Sequence, residues 1–236
     1  MPIYRLIRAP IFPRVELADE SGLLAVGGDL SIPRLLEAYH HGIFPWYEAG
    51  QPILWWSPDP RLILDLDALH ISRSLRKVMR RGGFEVTADQ DFMGVLRACA
   101  APRPDSDETW LVPEMITAYG RLHRLGLAHS IEVWQEGALI GGLYGVALGG
   151  AFFGESMFSR APNGSKLALV ALVRHLKALG ATLLDCQVTT EHLLSMGAEE
   201  IPREAFMERL RVAVEEDVPA LPVGPWTLPE DLMEGG

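Results

Sequence analysis

A glutamate sits in an otherwise apolar stretch, Ala151-Phe152-Phe153-Gly154-Glu155-Ser156-Met157-Phe158. Strand alternation places Phe153, Glu155 and Met157 on one face and Phe152, Gly154, Ser156 and Phe158 on the other. A carboxylate is costly to bury there unless a cation or several donors meet it. Two readings follow. One is a structural ion pair with a nearby Arg. The other is a carboxylate held ready for a cationic substrate group, with Gly154 admitting a ligand or a second backbone. A second polar pair lies in Leu183-Leu184-Asp185-Cys186-Gln187-Val188. Alternation sends Leu184 and Cys186 one way, Asp185 and Gln187 the other. Such a pair polarises an amine through hydrogen bonds, with Asp185 fixing the amide, or it closes the strand end as a structural network.

Arg73, Arg76, Lys77 and Arg80 recur at helical spacing and, with Arg81, make a basic face. It reads as a solvated surface or as a contact for phosphates. Trp46, Trp55, Trp56 and Trp110 are core residues or stacking platforms for an unstacked base. Leu169, Leu172 and Leu176 form the apolar stripe of a helix over Ser165–Leu179, and Asn163-Gly164-Ser165-Lys166 before it caps that helix or binds an anion. Two cysteines, Cys99 and Cys186, are too few for a disulfide framework or a cysteine zinc site, and His40-His41 lacks partners at ligand spacing. No metal or cofactor is expected. A net charge of −10 argues against a general polyanion binder, so any nucleic-acid contact must be local.

The elements that must position these groups divide at about residue 62. Residues 1–62 are rich in Gly and Pro and read as a small N-terminal lobe with one helix, capped by Ser31 and ending at Gly42. Residues 63–236 read as an α+β domain. Arg61–Leu66 alternates like a strand, and helices are expected over His70–Arg81, Asp91–Ala100 and Pro113–Leu125, with a loop at Pro102–Asp107. Three strands follow, His129–Gln135, Leu139–Leu148 and Ala151–Phe158, joined by turns at Glu136-Gly137 and Gly149-Gly150. Then come the Ser165–Leu179 helix, a strand at Thr182–Val188, and helices at Glu191–Met196 and Arg203–Val214. The order predicts a mixed, mainly antiparallel sheet with helices on its faces. No window approaches about 18 uninterrupted apolar residues, and the start, Met1-Pro2-Ile3-Tyr4-Arg5, carries no export signal. A cytoplasmic monomer is the expectation.

Longer strings run in order along the chain: Gly22-Leu23-Leu24-Ala25-Val26-Gly27-Gly28-Asp29-Leu30, Gly42-Ile43-Phe44-Pro45-Trp46, Ile53-Leu54-Trp55-Trp56-Ser57-Pro58-Asp59-Pro60-Arg61, His70-Ile71-Ser72-Arg73-Ser74, His129-Ser130-Ile131-Glu132-Val133-Trp134, Gly154-Glu155-Ser156-Met157-Phe158-Ser159 and Asp185-Cys186-Gln187-Val188. From about Phe12 to Phe206 the chain resembles the bacterial leucyl/phenylalanyl-tRNA–protein transferase family. The resemblance implies an acyl-CoA N-acyltransferase-like C-terminal domain behind the small lobe. It also implies the reaction: Leu or Phe, with Met as a further donor, passes from aminoacyl-tRNA to the α-amine of a protein that begins with Arg or Lys. The ester is aminolysed, tRNA leaves, and the product is marked for degradation.

Roles carry over by position. Glu155 would bind the acceptor's cationic side chain, and Asp185 and Gln187 would orient the attacking amine or relay its proton. Trp46 and Trp110 would stack the terminal adenosine, with Tyr119 nearby. Leu143, Phe152, Leu169, Leu172, Leu176 and Leu184 would line the donor side-chain pocket, and Arg73, Arg76, Lys77, Arg80 and Arg81 would contact acceptor-stem phosphates without sequence readout. Thr190 stands where the family pattern carries Asn. Parity lets Glu155, Asp185 and Gln187 share one sheet face while Phe152 and Leu184 share the helix-covered side, an assignment that a bulge would change. The competing readings are an acyl-CoA-dependent transferase of the same fold, an aminoacyl transferase acting on cell-wall peptides, and a tRNA-binding protein without activity.

Overall fold

The computed structural model describes residues 3–101, 111–216, 218–226, 228 and 233. In chain order the elements are β1 (Tyr4–Leu6), β2 (Leu23–Gly27), α1 (Ile32–His40), β3 (Phe44–Pro45), β4 (Leu54–Trp56) and β5 (Arg61–Leu64). Next are α2 (Arg73–Arg81), β6 (Glu85–Ala88), α3 (Phe92–Ala100), α4 (Pro113–Arg124), β7 (Ala128–Gln135), β8 (Ala138–Leu148) and β9 (Ala151–Ser159). The chain continues with α5 (Gly164–Leu179), β10 (Leu183–Gln187), α6 (Glu191–Leu194), β11 (Glu199–Ile201) and α7 (Arg203–Glu215). The expected loop at Pro102–Asp107 and Trp110 lie outside the described residues.

The strands make two sheets, one ordered β1-β2-β4-β3 and a larger one ordered β11-β5-β10-β9-β8-β7-β6. In the larger sheet all neighbours are antiparallel except β9 and β10, which run parallel. The β7–β8 hairpin turns on Glu136 and Gly137, both at positive φ (51° and 76°), as a tight two-residue turn requires. Helix α2 starts later than the expected His70, because the Ser72 hydroxyl accepts from the Leu75 N–H at 3.2 Å and caps it. Thr190 does the same for α6, accepting from the Leu193 N–H at 3.2 Å.

Two apolar layers cover the large sheet. Beneath one face lie α3, α4 and α7 together with Leu35, Ala38 and Tyr39 of α1, Trp55 of β4, and Tyr144 and Phe153 of the sheet. The N-terminal lobe therefore shares its core with the larger sheet. On the other face the leucines of α5 pack on Leu143, Phe152 and Leu184, joined by Leu75 and Met79 of α2. The division expected at residue 62 falls inside β5, whose four residues are all buried. Their exposure does not alternate, because β5 lies between β10 and β11 with apolar layers on both faces.

Two bulges interrupt the central strands. Between β8 and β9, Tyr144 pairs with Ser156 and Gly145 with Gly154, leaving Glu155 as the extra residue. Between β5 and β10, Ile63 pairs with Asp185 and Leu62 with Gln187, leaving Cys186 extra. The first bulge overturns part of the expected parity. Glu155 stays on the side of Phe153, but Met157 packs in the α5 layer and Phe158 joins the opposite one. Parallel pairing of β9 with β10 ends at Phe153 and Asp185, and beyond that point the two strands open a wedge.

Gly145 makes the first bulge possible. A Cβ there would lie 2.2 Å from the Phe153 carbonyl oxygen and 2.3 Å from the Phe152 ring. We expect Gly145→Ala to cost about 1–3 kcal/mol through overpacking, read as a lower melting temperature. An unchanged melting temperature would show that the strands do not approach this closely.

Candidate active site

The wedge between β9 and β10 opens into a cavity of about 510 Å³. Its apolar wall comes from Leu143 of β8, Met157 of β9, Leu169 and Leu172 of α5, Leu184 of β10 and Leu193 of α6. Glu155 and Gln187 supply polar groups, and Trp46 lines the cavity while remaining 43% exposed. The Trp46 ring tilts against Trp56 at 5.9 Å, and the Trp56 indole N–H donates to the Trp46 carbonyl at 2.6 Å.

Among the described residues Glu155 is held by neutral donors alone. Its Oε1 accepts from the Tyr39 hydroxyl at 2.8 Å and the Gln187 amide at 2.7 Å, and its Oε2 accepts from the Tyr119 hydroxyl at 2.6 Å. Among the described residues no cation pairs with it. Burial pushes its carboxyl up to about 7 against the pull of those three donors, and the nearby Asp185 adds to the rise.

Asp185 is placed quite differently. Arg61 grips it with two hydrogen bonds, Nε to Oδ1 at 2.8 Å and Nη2 to Oδ2 at 2.6 Å. Both groups are buried, and the guanidinium also donates to the Gly42 carbonyl at 3.1 Å between the Phe44 and Phe206 rings. Asp185 accepts the Gln187 backbone N–H at 2.8 Å, fixing a residue at φ 63°. It thus holds the backbone of Gln187 and not its side-chain amide, and it does not line the cavity. The structural ion pair, one of the two alternatives for Glu155, is found at Asp185 instead.

The other expected site residues divide likewise. Leu143, Leu169, Leu172 and Leu184 line the cavity, whereas Phe152 and Leu176 are buried in the α5 layer behind it. Tyr119 offers no face to an adenosine, because it is fully buried and holds Glu155 from below. Arg73, Arg76, Lys77, Arg80 and Arg81 are all exposed on α2, whose Leu75 and Met79 anchor it in the α5 layer. The Arg76 Nε also donates to the Ile71 carbonyl at 3.1 Å.

Several site residues escape sequence reasoning. Met157 is turned to the α5 side by the bulge, Leu193 is carried by a one-turn helix, and Tyr39 sits in an amphipathic helix where it reads as core. Burial drives the Cys186 thiol upward, which leaves it protonated and poorly suited to nucleophilic attack. His192 lines the cavity with its pKa lowered by burial and by Lys166, which favours the neutral ring.

An apolar cavity with a charge-seeking carboxylate at the edge of a parting sheet suits an apolar donor and a cationic acceptor. The sequence itself matches the family model described as leucyl/phenylalanyl-tRNA protein transferase over residues 63–211 and the model of that family's N-terminal domain over residues 28–59. The chain belongs to the leucyl/phenylalanyl-tRNA–protein transferase family. A protein of that name from Anaeromyxobacter dehalogenans strain 2CP-C is 59% identical over 217 residues, covering 92% of this chain and 93% of the relative. One from Azotobacter vinelandii is 58% identical over 201 residues, covering 84% and 89%. Among solved structures, L-PGS from Bacillus licheniformis aligns at TM-score 0.40 and 15% identity, covering 71% of this chain and 54% of that one. A GCN5-related N-acetyltransferase from Kribbella flavida aligns at TM-score 0.39 and 11% identity, covering 68% and 57%. As a leucyl/phenylalanyl-tRNA–protein transferase, the chain passes Leu or Phe from aminoacyl-tRNA to proteins that begin with Arg or Lys.

Glu155 carries a stability signature. Its raised pKa means the folded protein binds more protons than the unfolded chain between about pH 4.5 and 7, so stability falls as pH rises through that window. We expect Glu155→Gln to raise the melting temperature at pH 8, by up to about 3 kcal/mol of stability, and far less at pH 5. Equal effects at both pH values would show that Glu155 carries no buried charge.

Proposed function

We propose that Glu155 seats the cationic side chain of the acceptor's first residue while the cavity holds the Leu or Phe side chain of the donor ester. The observation that carries this reading is a carboxyl group with no cation beside it among the described residues: Arg61, the cation nearby, is bound to Asp185. A carboxylate held only by neutral donors gains most from a cation brought by a ligand. Three donors already occupy it, which favours one further N–H, as either a Lys ammonium or one arm of an Arg guanidinium provides.

The donor's side chain lies among Leu143, Met157, Leu169, Leu172, Leu184 and Leu193. These flexible aliphatic walls suit Leu and Phe, and Met as a further donor. Gln187 directs its amide N–H₂ to Glu155, so its carbonyl oxygen is left to accept an N–H of the attacking amine. Asp185 acts as a positioning residue through the Gln187 backbone. The neutral amine attacks the ester carbonyl, the C–N bond forms, the bond to the 3′-oxygen breaks, and the amine's proton passes to the departing hydroxyl. Much of the rate then comes from holding two reactants in register.

Trp46 offers its exposed ring to the terminal adenosine, with Trp110, which lies outside the described residues, as its proposed partner. The α2 cations take the acceptor-stem phosphates, on the same side of the sheet as the apolar cavity wall. The parallel β9–β10 pair parting at the cavity supports an acyl-CoA N-acyltransferase-like fold, here serving a tRNA-borne acyl group. Dependence on tRNA favours the cytoplasm as the site of reaction, and its products are marked for degradation.

Leu-tRNA labelled in the amino acid, offered to peptides starting with Arg, Lys or Ala, tests this reading. Label should enter the first two only, and Glu155→Gln should lose transfer to them while still binding tRNA. Undiminished transfer by that variant would remove Glu155 from the acceptor seat. Replacing Arg73, Lys77, Arg80 and Arg81 by Gln should weaken tRNA binding and flatten its salt dependence, by about 0.9 in the log–log slope for each phosphate no longer neutralised. An unaltered slope would leave α2 a solvated face.

A further inference from the structure

Four oxygens of three side chains close a ring beneath the acceptor seat. Glu155 Oε1 lies 2.8 Å from the Tyr39 hydroxyl, Glu155 Oε2 lies 2.6 Å from the Tyr119 hydroxyl, and the two hydroxyls lie 2.6 Å apart. Each of these three contacts needs a proton between its oxygens, because two lone pairs facing at such distances repel. The tyrosines bring two protons. With Glu155 ionised, one contact is left empty whichever way the hydroxyls turn. With Glu155 protonated the ring is complete: Oε2–H donates to Tyr119, Tyr119 to Tyr39, and Tyr39 to Oε1, which also accepts the Gln187 amide.

We propose that Tyr39 and Tyr119 are acceptor-selection residues, which with Glu155 hold a third proton in the empty site and release it when the acceptor's cation docks. This rests on the reading of Glu155 as the acceptor seat. The exchange balances: the protonated carboxyl gives one proton to solvent, becomes a carboxylate and pairs with the incoming ammonium or guanidinium, and no bond in the substrate breaks. The site stays neutral before and after, so the empty enzyme carries no uncompensated buried charge. An uncharged first residue offers nothing to exchange for the proton and meets a closed ring.

The surroundings agree. Tyr39 faces Glu155 from α1, Tyr119 from α4, Tyr144 from β8, and Asp185 and Gln187 from β10, while Arg61 of β5 is taken by Asp185. Both ring tyrosines are buried, and burial together with the Glu155 charge drives their hydroxyls well above the ordinary phenol range, so neither is the source of the third proton. Burial raises the Glu155 carboxyl to about 7 against the pull of its three donors, which favours the protonated form in the empty site.

The test follows transfer to a short peptide beginning with Arg between pH 5.5 and 8.5. Corrected for the fraction of neutral α-amine on the peptide, which titrates at about 7.7–8.0, the acceptor KM should fall about tenfold per pH unit as pH rises to 7 and level off above it, with the KM for aminoacyl-tRNA much less affected. Infrared spectra of the free protein at pH 6 should contain a protonated-carboxyl band that Glu155→Gln removes, distinct from any band of the buried Glu132, whose carboxyl is also raised by burial. Adding the peptide should abolish that band. Tyr39→Phe and Tyr119→Phe should each move the midpoint of the acceptor profile while leaving the donor KM in place. A flat acceptor KM with no Glu155-dependent band would overturn the proposal, as would midpoints unmoved in both tyrosine variants. Retained transfer by Glu155→Gln would defeat the acceptor-seat reading instead, so the two failures are distinguishable.

Discussion

The bidentate pair between Arg61 and Asp185 is the interaction on which the rest of the site depends. It ties β5 to β10, reaches the loop at Gly42, and fixes the Gln187 backbone through Asp185. Removing either partner would leave an uncompensated buried charge, a loss of about 3–5 kcal/mol. The pair also has an indirect consequence. Because Arg61 is committed to Asp185, Glu155 is left to tyrosine hydroxyls and an amide. One carboxylate thereby serves the fold, and the other is left free for a ligand's cation.

Two bulges supply the geometry. The extra residue at Glu155 leaves the carboxylate on the layer containing Tyr39 and Tyr119 while it turns Met157 into the cavity. The extra residue at Cys186 sets Gln187 in the left-handed region, where its amide meets Glu155. Between them the parallel strands stop pairing, and the cavity occupies the gap. The N-terminal lobe takes part directly: α1 contributes Tyr39, the loop after it contributes Trp46, and a shared apolar core holds both against the sheet.

Much of this arrangement is legible in the sequence where local rules govern. The meander, α3, α4, α5 and α7 follow from alternation, helical spacing and turn residues, and their ends fall within a residue or so of the expected positions. Short edge strands such as Glu85–Ala88 and Glu199–Ile201 carry too few residues for a periodic signal. Neither bulge is legible, since an inserted residue leaves no mark on composition, and so simple alternation puts Met157 on the wrong face. The partners of the two carboxylates are equally hidden. Arg61 lies 124 residues from Asp185, and Tyr39 lies 116 from Glu155. Only folding brings each to its mate, which is why alternation alone leaves both an ion pair and a ligand seat open for Glu155.

A crystal structure of the protein with a peptide beginning with Arg and a non-hydrolysable leucyl-adenosine analogue would test the division of labour between the two carboxylates. We expect a guanidinium nitrogen at about 3 Å from the Glu155 carboxylate, the leucyl side chain between Leu143, Leu172 and Leu184, and Arg61 still bound to Asp185. A peptide whose first side chain lies away from Glu155, or an Arg61 that has left Asp185 to pair with it, would contradict that division.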